Sequence, residues 1–301
     1  MRRAIGWVVA ASLAASLAAS ALAAQSAPPG TDVYLVRLRA GGTISDPPVN
    51  LTHRAGYDNQ PAFTPDGRAL LFTSIRGDAQ ADIYRVDLAT RAVTQVTRTP
   101  ESEYSPTPLP TGTGFSVVRV ELDSTQRLWA FAADGRAPVL LLPGVAPVGY
   151  HLWLDDHTLA LFVLGTPDAL EIADTQTGET RTLARDIGRS LQRVPGSARF
   201  SFLHRVDGAW YLETADPAAA DGAVARVAAM PRGADYVVWP SATTLLTAAG
   251  SVIYRRDLSE GAGARWTPIA DFQEEGLRRL SRLAISPDGA WLAVVAEPAT
   301  P

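Results

Sequence analysis

The chain has 301 residues and neither cysteine nor lysine. Without cysteine there can be no disulfide, no Cys-ligated zinc and no thiolate nucleophile. Without lysine there is no Schiff-base amine and no lysine for a phosphate-binding glycine loop. All 27 basic residues are arginine, set against 31 acidic ones, and the formal net charge is −4. A nucleic-acid binder presents a basic stripe. Here the arginines are scattered, and pairs such as Arg255-Arg256 and Arg278-Arg279 read as solvated surface, so no nucleic-acid partner is expected. No G-x-S-x-G elbow, H-E-x-x-H motif or paired-histidine metal motif occurs. Beyond the first two dozen residues, no stretch is apolar enough to span a bilayer.

Those first residues carry their own signal. Arg2 and Arg3 precede an apolar, alanine-rich run from Ala4 to Ala19, and Ala21-Leu-Ala23 matches an A-x-A cleavage pattern. Residues 1–23 therefore read as a secretory signal peptide, and 24–31 as a flexible linker. A periplasmic or secreted product is expected, with no integral membrane segment after cleavage.

What the chain does have is a repeat. Its clearest copies are Gln60-Pro-Ala-Phe-Thr-Pro-Asp-Gly67 and Leu283-Ala-Ile-Ser-Pro-Asp-Gly289, each followed by an apolar run. Pro-Asp-Gly is a turn signal, because proline presets one φ and glycine accepts a positive one. Apolar runs on both sides make a hairpin. Degenerate copies lie between. Aligned on the residue before each turn, the marks are Phe63, Pro108, Trp153, Arg193, Trp239 and Ile285, with gaps of 45, 45, 40, 46 and 46. That period belongs to propeller blades. Each hairpin is followed by a second pair of alternating strands, such as Asp82–Leu88 with Val93–Thr97. The last copy lacks its outer pair, whereas Asp32–Leu38 and Pro48–Thr52 stand unpaired at the start. An open ring would expose a strand edge. The predicted fold is all-β: a six-bladed β-propeller of four-stranded antiparallel blades over residues 32–301, closed by N-terminal strands that complete the C-terminal blade.

In a propeller the innermost strands line a central channel, so their leading ends share one mouth. Those ends carry Asp58, Glu103, Tyr104, Tyr150, His151, Arg189, Asp235, Tyr236 and Arg282. Such a ring suits a peptide or a polar small molecule, with arginine favouring an acidic group and tyrosine supplying an apolar face. In the structural alternative, Asp58, Glu103 and Asp235 bond turn backbones between blades, and Arg189 and Arg282 pair with them. The other histidines, His53, His157 and His204, fall on a connection, a turn and a strand end. Alternating charges in Arg119-Val-Glu-Leu-Asp123, with Gln126-Arg127, read as sheet stabilisation.

The repeats resemble those of the TolB-like six-bladed propellers. The carrying residues are Leu51-Thr-His53, Asp58–Gly67, Ile83-Tyr84, Asp87 and Gln95-Val-Thr97. The resemblance implies an exported, monomeric binding protein, without the N-terminal domain of TolB. Its partner would be an envelope or periplasmic protein, a peptide or a polar small molecule. No cofactor is expected. The second expectation is a propeller hydrolase or lyase with its site in the channel. Metal-dependent propeller lactonases are the enzymatic comparison, and they use carboxylate and asparagine ligands. Only Asn50 and Asn59 exist here, so a metal would need Asp58, Glu103, His151 and Asp235 instead.

Overall fold

The computed structural model describes residues 28–39, 41–77, 80–219 and 223–298. The signal-peptide reading of residues 1–23 falls outside the described residues. Six antiparallel sheets follow one another. Blade one is Tyr57–Phe63, Ala69–Ile75, Ala81–Asp87 and Val93–Gln95. Blade two is Ser102–Pro108, Gly114–Val120, Gln126–Ala132 and Val139–Leu140. Blade three is Val148–Trp153, Thr158–Val163, Ala169–Asp174 and Thr180–Arg185. Blade four is Ile187–Arg193, Phe200–Val206, Ala209–Ala215 and Val224–Ala229. Blade five is Val237–Ser241, Thr244–Ala249, Val252–Asp257 and Thr267–Asp271.

Blade six is the expected clasp. Its inner strands, Leu283–Ile285 and Trp291–Pro298, come from the end of the chain. Its third strand, Asp32–Arg39, comes from the start and runs antiparallel to the second, from Asp32 opposite Ala296 to Arg37 opposite Trp291. Val49–Asn50 completes the outer edge against Leu35 and Tyr34.

The period of two along each strand builds the core. Successive side chains enter opposite faces of a blade, so each blade feeds two seams. Val33 and Leu35 pack with Leu70 and Phe72 of blade one, whereas Tyr34, Val36 and Leu38 pack with Val238 and Leu246 of blade five. Leu71 points the other way from Leu70, toward Phe115 and Phe131 of blade two. The three remaining seams repeat the arrangement between blades two and three, three and four, and four and five. Polar ties recur as well. Trp153 Nε1 donates to Ser116 Oγ of the preceding blade at 2.9 Å, and Trp239 Nε1 donates to Ser201 Oγ of its preceding blade at 2.9 Å.

The two Pro-Asp-Gly turns share one geometry. Gly67 N–H donates to Thr64 O at 2.8 Å with φ 67, and Gly289 N–H donates to Ser286 O at 2.8 Å with φ 70. Thr64 and Ser286 hydroxyls each donate to the aspartate of their turn. Inner strands carry a register shift in blades one to five, between Asn59 and Ala62, Tyr104 and Thr107, Val148 and Tyr150, Ile187 and Leu191, and Val238 and Ser241. Such bulges re-aim side chains. In blades one and two the bulge places Gln60 at φ 56 and Ser105 at φ 55.

Candidate ligand site at the channel mouth

The channel holds two connected spaces. An outer vestibule of about 510 Å³ is lined by Tyr57, Asn59, Asp235, Arg279 and Glu297, among others. An inner cavity of about 240 Å³ is lined by Gln60, Ser105, His151, Gln192 and Tyr236, with apolar walls from Phe63, Leu152 and Ile285. Tyr150, Arg189 and Arg282 line both spaces. They stand where the vestibule meets the cavity.

Arg282 is the centre of this arrangement. It is 5% exposed, and its guanidinium lies over Tyr150 at 4.6 Å and Tyr236 at 5.3 Å. One Nη2 donates to the Tyr150 hydroxyl at 2.6 Å. Among the described residues no carboxylate forms an ion pair with it. A buried charge is ordinarily paired. The stacked rings give partial compensation and leave the guanidinium's charge unneutralised at the junction of two water-accessible spaces.

The other vestibule arginines have partners. Arg189 Nη2 lies 2.5 Å from Asp235 Oδ2, and Arg279 Nη1 lies 3.4 Å from Glu297 Oε1. Three arginines and two carboxylates thus line the vestibule, with Arg282 as the excess. The inner cavity is lined by Arg189 and Arg282 and by no carboxylate. A chain of net charge −4 therefore concentrates positive charge in its channel, where low-dielectric walls focus the field.

His151 adds polarity without charge. Its Nε2 lies 2.7 Å from Ser116 Oγ, its Nδ1 is buried without a partner, and burial lowers its pKa to about 3. Burial acts on the phenols too. It pushes Tyr57 up to about 12 and raises Tyr236, so both stay neutral and serve as hydrogen-bonding groups. Tyr236 Oη accepts from Gln192 Nε2 at 3.2 Å.

Of the nine ring residues read from the sequence, Tyr150, His151, Arg189, Asp235, Tyr236 and Arg282 line these two spaces. Asp58 and Glu103 do not. Asp58 is fully buried against Arg54 at 3.1 Å and Ser74 at 2.5 Å. Glu103 is fully buried against Arg119 at 3.1 Å and accepts from Thr99. Both precede the bulges at Gln60 and Ser105, which break the alternation, and they turn into the seams. Tyr104 is half-buried outside both linings, with its pKa raised by burial. The pairing expected of Arg282 with an acidic ring member is absent among the described residues, while that of Arg189 with Asp235 is present. The sequence reading missed Gln192, Arg279 and Glu297, which no motif marks.

No protein-family model matches the chain, and no curated protein matches it in sequence. In three dimensions it is similar to a protein of Agrobacterium tumefaciens described as a TolB, at TM-score 0.70 and 16% identity, covering 89% of this chain and 98% of that one. The fold is that of the TolB-like six-bladed propellers. TolB from Acinetobacter baumannii matches at TM-score 0.55 and 16% identity, covering 90% of this chain and 66% of that one. An oligogalacturonate lyase in complex with manganese matches at TM-score 0.57 and 14% identity, over 89% of this chain and 82% of that one. One propeller architecture thus serves proteins with different names, and the site must be read from its own side chains. Among the described residues no three histidine, aspartate or glutamate side chains converge as metal ligands. The set of Asp58, Glu103, His151 and Asp235 is dispersed, since the first two are held in seams by Arg54 and Arg119.

Proposed function

We propose that this protein is a non-catalytic binding module that receives an acidic group of a peptide, a protein or a polar small molecule at the mouth of its propeller channel. The observation that carries this reading is Arg282, a buried guanidinium stacked on two tyrosines with no carboxylate to neutralise it. Its planar fork suits a carboxylate. Arg189 stands beside it and exchanges Asp235 for a ligand at small cost, because that pair is solvent-exposed. The N-terminal sequence supports export, with residues 1–23 removed and 32–301 forming the propeller.

The enzymatic reading is weaker. A general base needs a pKa near the working pH, and His151, held down to about 3, is a feeble proton acceptor. The reading is tested by capture from a periplasmic extract with wild-type protein and the Arg282→Ala and Arg189→Ala variants, with melting measured on all three. The expected result is folded variants that lose the captured partner. Unchanged capture with lowered melting temperatures would leave the ring as architecture alone.

A further inference from the structure

A third cavity opens beside Arg189. It has a volume of about 390 Å³, lies between blades three and four, and is walled by Phe162, Leu164, Ile187, Leu203 and Trp210. Leu164 and Trp210 are each 37% exposed, and they share this one groove. Gly188 forms part of the lining. A Cβ there would lie 2.9 Å from Leu203 Cβ and 3.3 Å from the Trp210 ring, so any side chain would shift the wall. The apolar walls end at a polar rim of Asp168, Arg189 and Asp235. Tyr150 and Arg189 line this groove, the vestibule and the inner cavity alike, and Asp235 lines the groove and the vestibule. The apolar groove and the unneutralised Arg282 are therefore adjoining parts of one surface.

We infer that the groove between blades three and four is a side-chain pocket for the C-terminal residue of a polypeptide, whose apolar side chain fills the groove while its terminal carboxylate meets Arg189 and Arg282. This rests on the acidic-group reading above and specifies its ligand. Three features select this occupant. The charge is complementary at the junction, since the inner cavity is lined by Arg189 and Arg282 and by no carboxylate, whereas Asp168 and Asp235 stand on the groove's rim. The apolar and cationic parts adjoin through Arg189, and a terminal residue holds its side chain and its carboxylate on a single carbon. Tyr150 and Tyr236 hold the Arg282 guanidinium where the vestibule meets the inner cavity, placed to meet the end of a chain. Apolar pockets with a few convergent polar groups are the usual form of such sites.

The test uses the mature protein and three synthetic pentapeptides, with affinities measured by calorimetry. The first ends Ser-Gly-Leu with a free carboxylate, the second has the same sequence amidated, and the third is a free acid ending in glycine. The leucine acid is expected to bind at least tenfold tighter than either of the others. Leu164→Ala and Trp210→Ala shorten exposed groove side chains without adding charge, and each should weaken the leucine acid at least tenfold while leaving the glycine acid unchanged. Arg282→Gln should weaken both acids, and Arg189→Gln, at a more exposed position, repeats that test should Arg282→Gln fail to fold. If the arginine variants lose both acids while the groove variants change nothing, the acidic-group reading stands and the groove assignment falls. Equal binding of the amide and the acid, undiminished binding by folded arginine variants, or no binding of the leucine acid would each overturn the proposal. The last outcome alone leaves the acidic-group reading to the capture experiment.

Discussion

Two arginines in this molecule share nearly everything except a partner. Arg119 is 4% exposed and Arg282 is 5% exposed. Each lies over two aromatic rings, Trp129 and Phe131 at 4.6 and 5.0 Å for Arg119, Tyr150 and Tyr236 at 4.6 and 5.3 Å for Arg282. Arg119, in the seam of blades one and two, holds Glu103 at 3.1 Å and Glu101 at 3.7 Å. Arg282, at the channel, holds a tyrosine hydroxyl. Aromatic stacking alone therefore does not tell a structural arginine from a binding one. The missing anion does, together with a cavity in which an anion could sit.

The comparison is broken most forcefully at Arg119. Arg119→Gln leaves Glu103 buried without its cation, and chemical denaturation above pH 7, where that carboxyl is ionised in the wild type, should show a loss of about 3 kcal/mol or more. Arg282→Gln removes an equally buried charge and leaves no carboxylate stranded, so it should cost less stability than Arg119→Gln while abolishing capture of an acidic partner. A loss at Arg282 as large as that at Arg119 would make both residues architectural.

Titration sharpens the contrast next. Burial raises the Glu103 carboxyl from 4.5 to about 7, so its contribution to stability is full below 4.5 and lost as pH rises through 7. Burial lowers His151 from 6.5 to about 3, so its contribution is full above 6.5 and lost as pH falls toward 3. Between 4.5 and 6.5 the two oppose each other. In Glu103→Gln the melting temperature should therefore fall more steeply than in wild type as pH drops from 6.5 to 4.5, and the wild-type decline from 6.5 to 8 should flatten. Identical profiles for the two proteins would remove Glu103 from the account. The smallest effect is expected at the rim. Asp235→Asn removes an ion pair whose carboxylate is 54% exposed and should shift stability by no more than about 1 kcal/mol. By freeing Arg189, it should tighten binding of the leucine-terminated peptide acid; weaker binding would show Asp235 to be part of the recognition surface.

The architecture was legible because a propeller repeats its turn chemistry. Thr64–Gly67 and Ser286–Gly289 carry the same proline, aspartate and glycine for the same backbone reason, and their spacing from degenerate copies marks each blade. The clasp was legible from the strands left over at each end. The site was legible only in part. Tyr150, Tyr236 and Arg282 each lie three positions before an alignment mark, and all line the inner cavity. Asp58 and Glu103 lie five positions before theirs, where the side chain turns into a seam. Strict alternation would put positions three and five before the mark on one face; the bulges between them shift the register, and nothing in the residue types announces where. The apolar groove escaped for another reason. Phe162, Leu203 and Trp210 come from second and third strands, where apolar residues are the rule, and the space before Leu203 and Trp210 is kept by Gly188 on a neighbouring strand.

The clasp also puts a condition on time. The strand Asp32–Arg39 leaves the ribosome long before its ladder partner Trp291–Pro298. Until that partner arrives, Val33, Leu35 and Val36 have an unpaired edge and half of each adjoining seam is missing. Pairings so distant along the chain are slow to form and leave strand edges open meanwhile. The ring cannot close until Trp291–Pro298 has been made, and any factor that shields the early strand in that interval would govern the yield of folded protein.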